Sequence, residues 1–114
     1  MKHIILFLLL MSISFPVFAS GQSVVYQVDN QDYEGYYNRS TPSAGLVFLV
    51  HDWNGLTDYE RQRADMLAER GYTVFAADLF GAGVRPTKVE DKRQHTGELY
   101  QDREKNATSP SRCP

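Results

Sequence analysis

The stretch from Gly45 to Ala77 limits the fold more than any other part of the chain. It opens on G-L-V-F-L-V, a short apolar run without alternation, which is the pattern of a strand covered on both faces. Residues 45–50 are therefore expected to form the central strand of a sheet. Thr57-Asp58-Tyr59-Glu60 follows with the spacing of a capping box, in which the threonine hydroxyl accepts from the first turn and the glutamate reaches back to the cap amide. Asp58 also suits the positive end of a helix. Ala64, Leu67 and Ala68 make a narrow apolar stripe, with Tyr59 and Met66 at its margins, and Gly71 falls where a left-handed residue closes a helix. The spacing predicts a helix over 58–70, packed on one face. T-V-F-A-A at 73–77 is a second buried strand. Strand, helix and strand in this order form a βαβ unit, with parallel strands and a right-handed crossover.

The flanks are weaker. S-V-V-Y-Q-V at 23–28, a polar turn at 29–32 and Tyr33-Glu34-Gly35-Tyr36-Tyr37 suggest a hairpin. Pro42 lies among small polar residues in a loop at 38–43, and a second loop at 78–86 contains Gly81 and Gly83. Thr87-Lys88-Val89-Glu90 repeats the capping-box spacing ahead of a helix at 91–103. That helix is poorly amphipathic, with Gly97 inside it and only Val89, Leu99 and Tyr100 to offer a core. The tail at 105–114 has no periodicity and two prolines, and is expected to be disordered. Asn38-Arg39-Ser40 and Asn106-Ala107-Thr108 fit the glycosylation sequon, both in segments expected to be exposed.

Residues 1–19 read as an export leader rather than as part of the fold. Lys2 and His3 give a basic start, Ile4 to Met11 is unbroken hydrocarbon, and Val17-Phe18-Ala19 has the small residues a signal peptidase accepts. Pro16 interrupts the run short of the roughly 20 apolar residues that span a bilayer. The mature chain is expected to start at Ser20 and to be secreted or periplasmic. What remains of the 114 residues suffices for one small domain and not for a full sheet with helices on both faces. A formal net charge of −2 gives no electrostatic reason to expect nucleic acid or an anionic membrane as partner. The single cysteine, Cys113, excludes a disulfide within the chain.

Leu49-Val50-His51-Asp52-Trp53-Asn54-Gly55-Leu56 lies where a buried strand ends and a helix has not begun, the position at which open parallel sheets place ligands. Backbone amides there are outside the sheet ladder and can stabilise a developing oxyanion. The same residues have a plain structural reading. Asp52 can cap a turn, Trp53 can pack, and Asn54-Gly55 is a common turn dipeptide. Arg85, on the later loop, can face a carboxylate-bearing substrate or simply be solvated. No set of side chains has metal-ligand spacing, since His51 and His95 stand far apart once His3 leaves with the leader, so neither metal nor cofactor is expected.

In combination, G-L-V-F-L-V-H-D-W-N-G-L-T-D-Y and A-D-M-L-A-E-R-G-Y-T-V-F-A-A-D-L-F-G-A-G resemble the dienelactone hydrolase family of α/β hydrolases, from about Val24 to about Arg103. The resemblance implies that Asp52 occupies the position of a carboxylate, usually glutamate, that lies near a nucleophilic cysteine and helps to activate it. Asp52 is one methylene shorter. It implies that the Trp53 amide forms half of an oxyanion hole, with its indole walling the pocket. Asn54 and Arg85 are expected to join Trp53 in binding substrate. His51 matches a basic or polar position and not the catalytic histidine, which in α/β hydrolases comes last in chain order. Asp78 is expected to orient its loop through backbone hydrogen bonds.

A hydrolase of this kind needs its nucleophile on G-x-S-x-G or G-x-C-x-G, followed by an acid and a histidine. Neither pattern occurs in the sequence, and Cys113, in Ser111-Arg112-Cys113-Pro114, has no strand before it and no helix after it. The expected fold class is α/β: an incomplete α/β-hydrolase-type sheet made of an N-terminal hairpin, one βαβ unit and a further helix, over residues 20–104. The expected function is that of an ester or lactone hydrolase working by acyl transfer on a small substrate, truncated before its nucleophile and inactive alone. An alternative is a small secreted binding protein that uses the Asp52-Trp53 loop and an exposed sheet edge, an edge that also invites self-association. A frame that ends early or shifts near Lys105 is a third reading.

Overall fold

The computed structural model describes residues 20–108, with side chains through Arg103. The expected leader at 1–19 and the last part of the expected tail lie outside the described residues. The elements are β1 (Gln22–Val28), β2 (Gln31–Asn38), β3 (Leu46–Val50), α1 (Asp58–Glu69), β4 (Thr73–Ala77) and α2 (Val89–Thr108). They form a mixed α/β fold around one four-stranded sheet in the order β1-β2-β4-β3. No helix among the described residues is long and apolar enough to cross a membrane.

The hairpin closes on two residues rather than the expected four, because Asp29 and Asn30 both take positive φ, 50° and 63°. Aspartate and asparagine tolerate this region, and two such residues match the twist of the flanking strands. Gln31 and Asp32 are thereby released into β2, which pairs antiparallel with β1 from Val28↔Gln31 to Gln22↔Tyr37. β3 and β4 run parallel from Leu46↔Thr73 to Val50↔Ala77, as the βαβ reading requires. The expectation that β3 is central fails. β4 is the inner strand, paired with β2 on its other side through Tyr36↔Ala76 and Asn38↔Val74, and β3 is an edge.

α1 forms as its sequence dictates. The Tyr59 amide donates to Thr57 Oγ1 at 3.3 Å, and Glu60 Oε2 reaches back to the Thr57 amide at 2.8 Å and to the Thr57 hydroxyl at 2.6 Å. At the other end Gly71 takes a φ of +96°, and its amide and that of Tyr72 donate to Ala68 O and Leu67 O. This pair of bonds is the Schellman closure that a glycine at this position allows. Thr57→Ala should cost about 1–2 kcal/mol, because it orphans a first-turn amide and removes the hydroxyl donor from the buried Glu60 carboxylate. A thermal melt checks this, and an unchanged midpoint would refute it. The second capping box does not form as expected. Lys88, not Thr87, is at the cap position, since α2 starts at Val89 and the Lys92 amide donates to Lys88 O. The helix also runs to Thr108, past the expected end near Arg103.

Alternation along the strands gives the sheet two unlike faces. On one, Tyr36, Val74 and Ala76 pack with Leu56 and Ala64, and Val47, Leu49 and Leu67 close over them. The Tyr36 hydroxyl and the Asn38 amide group both donate to Asp65 Oδ1 at 2.8 Å, tying β2 to α1. Asn38 is therefore buried, contrary to the exposure expected of the first sequon. On the opposite face Tyr33, Tyr26, Phe75 and Phe48 form a row of rings with successive centroids 5.6, 5.8 and 5.9 Å apart. Leu46, Phe48 and Val50 are left 71%, 62% and 54% exposed there.

The Tyr36 phenol is pushed above its ordinary 10.0, first by burial and then by its hydrogen bond to the Asp65 carboxylate, and burial raises Tyr26 and Tyr33 as well. A raised value means that the fold holds the phenol proton more tightly than the unfolded chain does. This contribution is intact below pH 10.0 and is lost as pH rises through the folded-state values. Alkaline titration followed by circular dichroism should show unfolding above that pH, with a shallower dependence in Tyr36→Phe. Equal curves would contradict the assignment.

Candidate functional site

The C-terminal ends of the parallel strands β3 and β4 bring two loops together, residues 51–57 and 78–88. Three side chains hold these loops in shape, and one of them, His51, joins the two. Asp78, fully buried at the end of β4, accepts the Phe80 and Gly81 amides on Oδ1 at 3.1 and 3.2 Å and the Glu34 amide on Oδ2 at 3.0 Å. It orients its loop through backbone bonds, as expected, and also binds that loop to β2. Tyr26 adds a bond from β1, its hydroxyl donating to Asp78 O at 2.6 Å and accepting from the Asp78 amide at 3.1 Å.

His51 is the second fastener. The Leu79 amide donates to its Nε2 at 3.0 Å, and a backbone N–H can only donate, so Nε2 is bare. The ring proton is therefore on Nδ1, which donates to Asp52 O at 2.6 Å. The ring is buried with the Phe80 ring edge-on at 4.7 Å, and its Nε2 lies 4.0 Å from Asp78 Oδ1.

Arg85 is the third. Its Nη1 donates to Val84 O at 2.7 Å and to Gly81 O at 3.3 Å, and lies 3.5 Å from Asp78 Oδ1. Its cation is thus tied to its own loop, neither simply solvated nor wholly free for substrate.

Asp52 is exposed and shapes the turn that follows it. Its Oδ1 accepts the Asn54 amide at 2.8 Å, its Oδ2 accepts the Asn54 side chain at 3.1 Å, and its carbonyl accepts the Gly55 amide at 3.2 Å. Gly55 has a φ of +80°, and a Cβ there would meet Val84 O at 2.9 Å, so only glycine lets the two loops pack this closely. Trp53 is 45% exposed, and Lys92 Nζ from α2 lies 5.3 Å from its ring centroid. Asn54 and Arg85 line a common cleft of about 370 Å³ with Thr57, Pro86, Thr87 and Lys92. The structure thus gathers the four residues singled out in the sequence, Asp52, Trp53, Asn54 and Arg85, around one corner of the sheet. Sequence reasoning missed Lys92, which no spacing connects to Trp53, and the latch made by His51, whose partner Leu79 lies 28 residues away. Among the described residues no group of three histidines, cysteines or carboxylates is placed to hold a metal.

The family profile that matches residues 34–112 is that of the dienelactone hydrolase family. The chain belongs to this family. Among solved structures, m3DLH is 27% identical, with a TM-score of 0.67 over 75% of this chain and 37% of that one. A dienelactone hydrolase-like promiscuous phosphotriesterase from metagenomic libraries shares the fold at 23% identity and a TM-score of 0.61, over 74% of this chain and 36% of that one. The dienelactone hydrolase fold is thus present in part, and the chain spans little more than a third of the length of these structures. No curated protein matches it.

Proposed function

We propose that this dienelactone hydrolase family chain carries the oxyanion side of an acyl-transfer site for a small ester or lactone. The observation that supports it is the placement of the Asp52-Trp53-Asn54 turn. It lies at the C-terminal end of a parallel strand, in a family member, and opens beside a cleft with two cations, Arg85 and Lys92. The Trp53 amide would receive the negative oxygen of a tetrahedral intermediate, the Asp52 carboxylate would stand beside the nucleophile, and Trp53, Asn54 and Arg85 would contact substrate. No G-x-S-x-G or G-x-C-x-G occurs in the 114 residues. In this reading nucleophile and base are supplied from outside these residues, and the chain assayed alone is inactive. The leader-like residues 1–19 support a place for the protein outside the cytoplasm.

Two assays test the reading. The purified chain should hydrolyse a small aryl ester no faster than buffer, and turnover that survives Cys113→Ala would refute the inactivity. A chimera in which residues 20–104 replace the matching portion of a dienelactone hydrolase should turn over the ester. In that chimera Asp52→Ala should lower kcat/KM about 10²-fold or more. A folded chimera indifferent to Asp52→Ala would sink the role given to this carboxylate.

A further inference from the structure

We infer that His51 is a positioning residue that aims the Trp53 amide at the oxyanion, an assignment that rests on the reading above. A trans peptide holds its carbonyl and its N–H on opposite edges of one plane, so fixing one fixes the other. Asp52 O and the Trp53 N–H belong to the same peptide. The carbonyl edge is held by His51 Nδ1–H at 2.6 Å and, more loosely, by the Gly55 amide at 3.2 Å. The Trp53 N–H is consequently directed away from the buried imidazole. Asp52's oxygens take up the Asn54 and Gly55 amides and not that of Trp53.

The imidazole has no freedom to let this plane turn. Its Nε2 is bound by the Leu79 amide at 3.0 Å, and Phe80 packs against it edge-on. A ring flip would break both hydrogen bonds at once. A bond to the carbonyl also polarises the peptide and strengthens its N–H as a donor. An oxyanion donor works only if it is already within hydrogen-bond reach of where the charge develops, so its aim is the property that matters. The β4 loop therefore sets the oxyanion donor at the end of β3, through one histidine that touches no substrate.

The rival role for His51 is that of a mere latch between the loops, and two substitutions separate the roles. His51→Asn puts an amide nitrogen where Nδ1 was, keeping the donor to Asp52 O and losing the acceptor for Leu79. His51→Gln does the reverse. The probe is phenylphosphonate, titrated into the ¹⁵N-labelled full chain while the Trp53 backbone amide is followed by NMR and each variant is melted. In wild type and in His51→Asn the Trp53 amide proton should move downfield with similar affinity. His51→Gln should bind about tenfold more weakly at that amide, the scale of one charge-assisted hydrogen bond, despite keeping the Leu79 bond. Equal binding by wild type and His51→Gln would overturn the assignment of His51 and leave the oxyanion reading standing. No shift in wild type would sink the oxyanion reading, and the role of His51 with it. In wild type, and so independent of how the variants fold, a scalar coupling should cross from His51 Nδ1–H to the Asp52 carbonyl carbon; its absence would also overturn the assignment.

Discussion

Asp78→Ala is expected to remove about 3–5 kcal/mol of stability, the scale for breaking a buried charged network. Its carboxylate is fully buried and accepts three backbone amides, from Glu34, Phe80 and Gly81, with the Arg85 cation beside it. Removing it leaves those amides without partners inside the fold, at about 1–3 kcal/mol each where water cannot replace the bond. A domain this small has about 5 kcal/mol in hand or little more, so the variant should be largely unfolded at room temperature. Urea unfolding followed by circular dichroism measures the loss. Asp78→Asn keeps the shape and one acceptor oxygen but turns an NH₂ group toward amides that also donate, and should fall between the two. Were Asp78→Ala to unfold at the wild-type urea midpoint, the loop after β4 would have to be held by something other than this carboxylate.

The second large effect concerns the face of the sheet opposite α1. Val28, Leu46, Phe48 and Val50 are exposed there beside the row of rings from Tyr33 to Phe48, and β3 offers an unpaired edge. Soluble monomers rarely show a contiguous apolar patch above a few hundred Å², and a short apolar edge with no charge or proline along it invites pairing. The purified chain should bind a hydrophobic dye strongly at neutral pH and should sediment as associated species. Phe48→Lys combined with Val50→Lys should abolish most of both signals without lowering helix content, because neither side chain faces α1. Dye binding that persists in full would place the exposed surface elsewhere.

Much of this architecture is readable in the residues, and the parts that are not share a cause. The hairpin and the Thr57–Glu60 cap rest on contacts between near neighbours in sequence, where residue type and spacing carry the signal, and the βαβ unit, though Leu46 pairs with the distant Thr73, follows from the order of two apolar runs around one helix. The edge position of β3 depends instead on which strand pairs with which, and a continuous apolar run such as L-V-F-L-V reports a demand for cover without saying whether the cover is present. Asn38 looked like an exposed sequon because its partner Asp65 is 27 residues away on α1. At the candidate site, the turn formed by Asp52, Asn54 and Gly55 is local and was legible in outline. Arg85 was found as a residue but not as a ligand of Asp78, and the His51–Leu79 bond spans 28 residues. The plain reading of Asp52 as a turn-former and the inherited reading as part of a site are both compatible with its position, since the turn it makes is the one that presents Trp53.

Trp53 is the only tryptophan in the chain, and it stands on the loop to which the chemistry is assigned, with Lys92 over its ring. Its emission therefore reports that loop and the lysine of α2 beside it, with no label attached. Displacement of the lysine by an incoming anion, release of His51 from Leu79, and separation of α2 from the sheet would each alter one fluorophore's surroundings, and the spectrum of the unmodified protein becomes a direct record of the site.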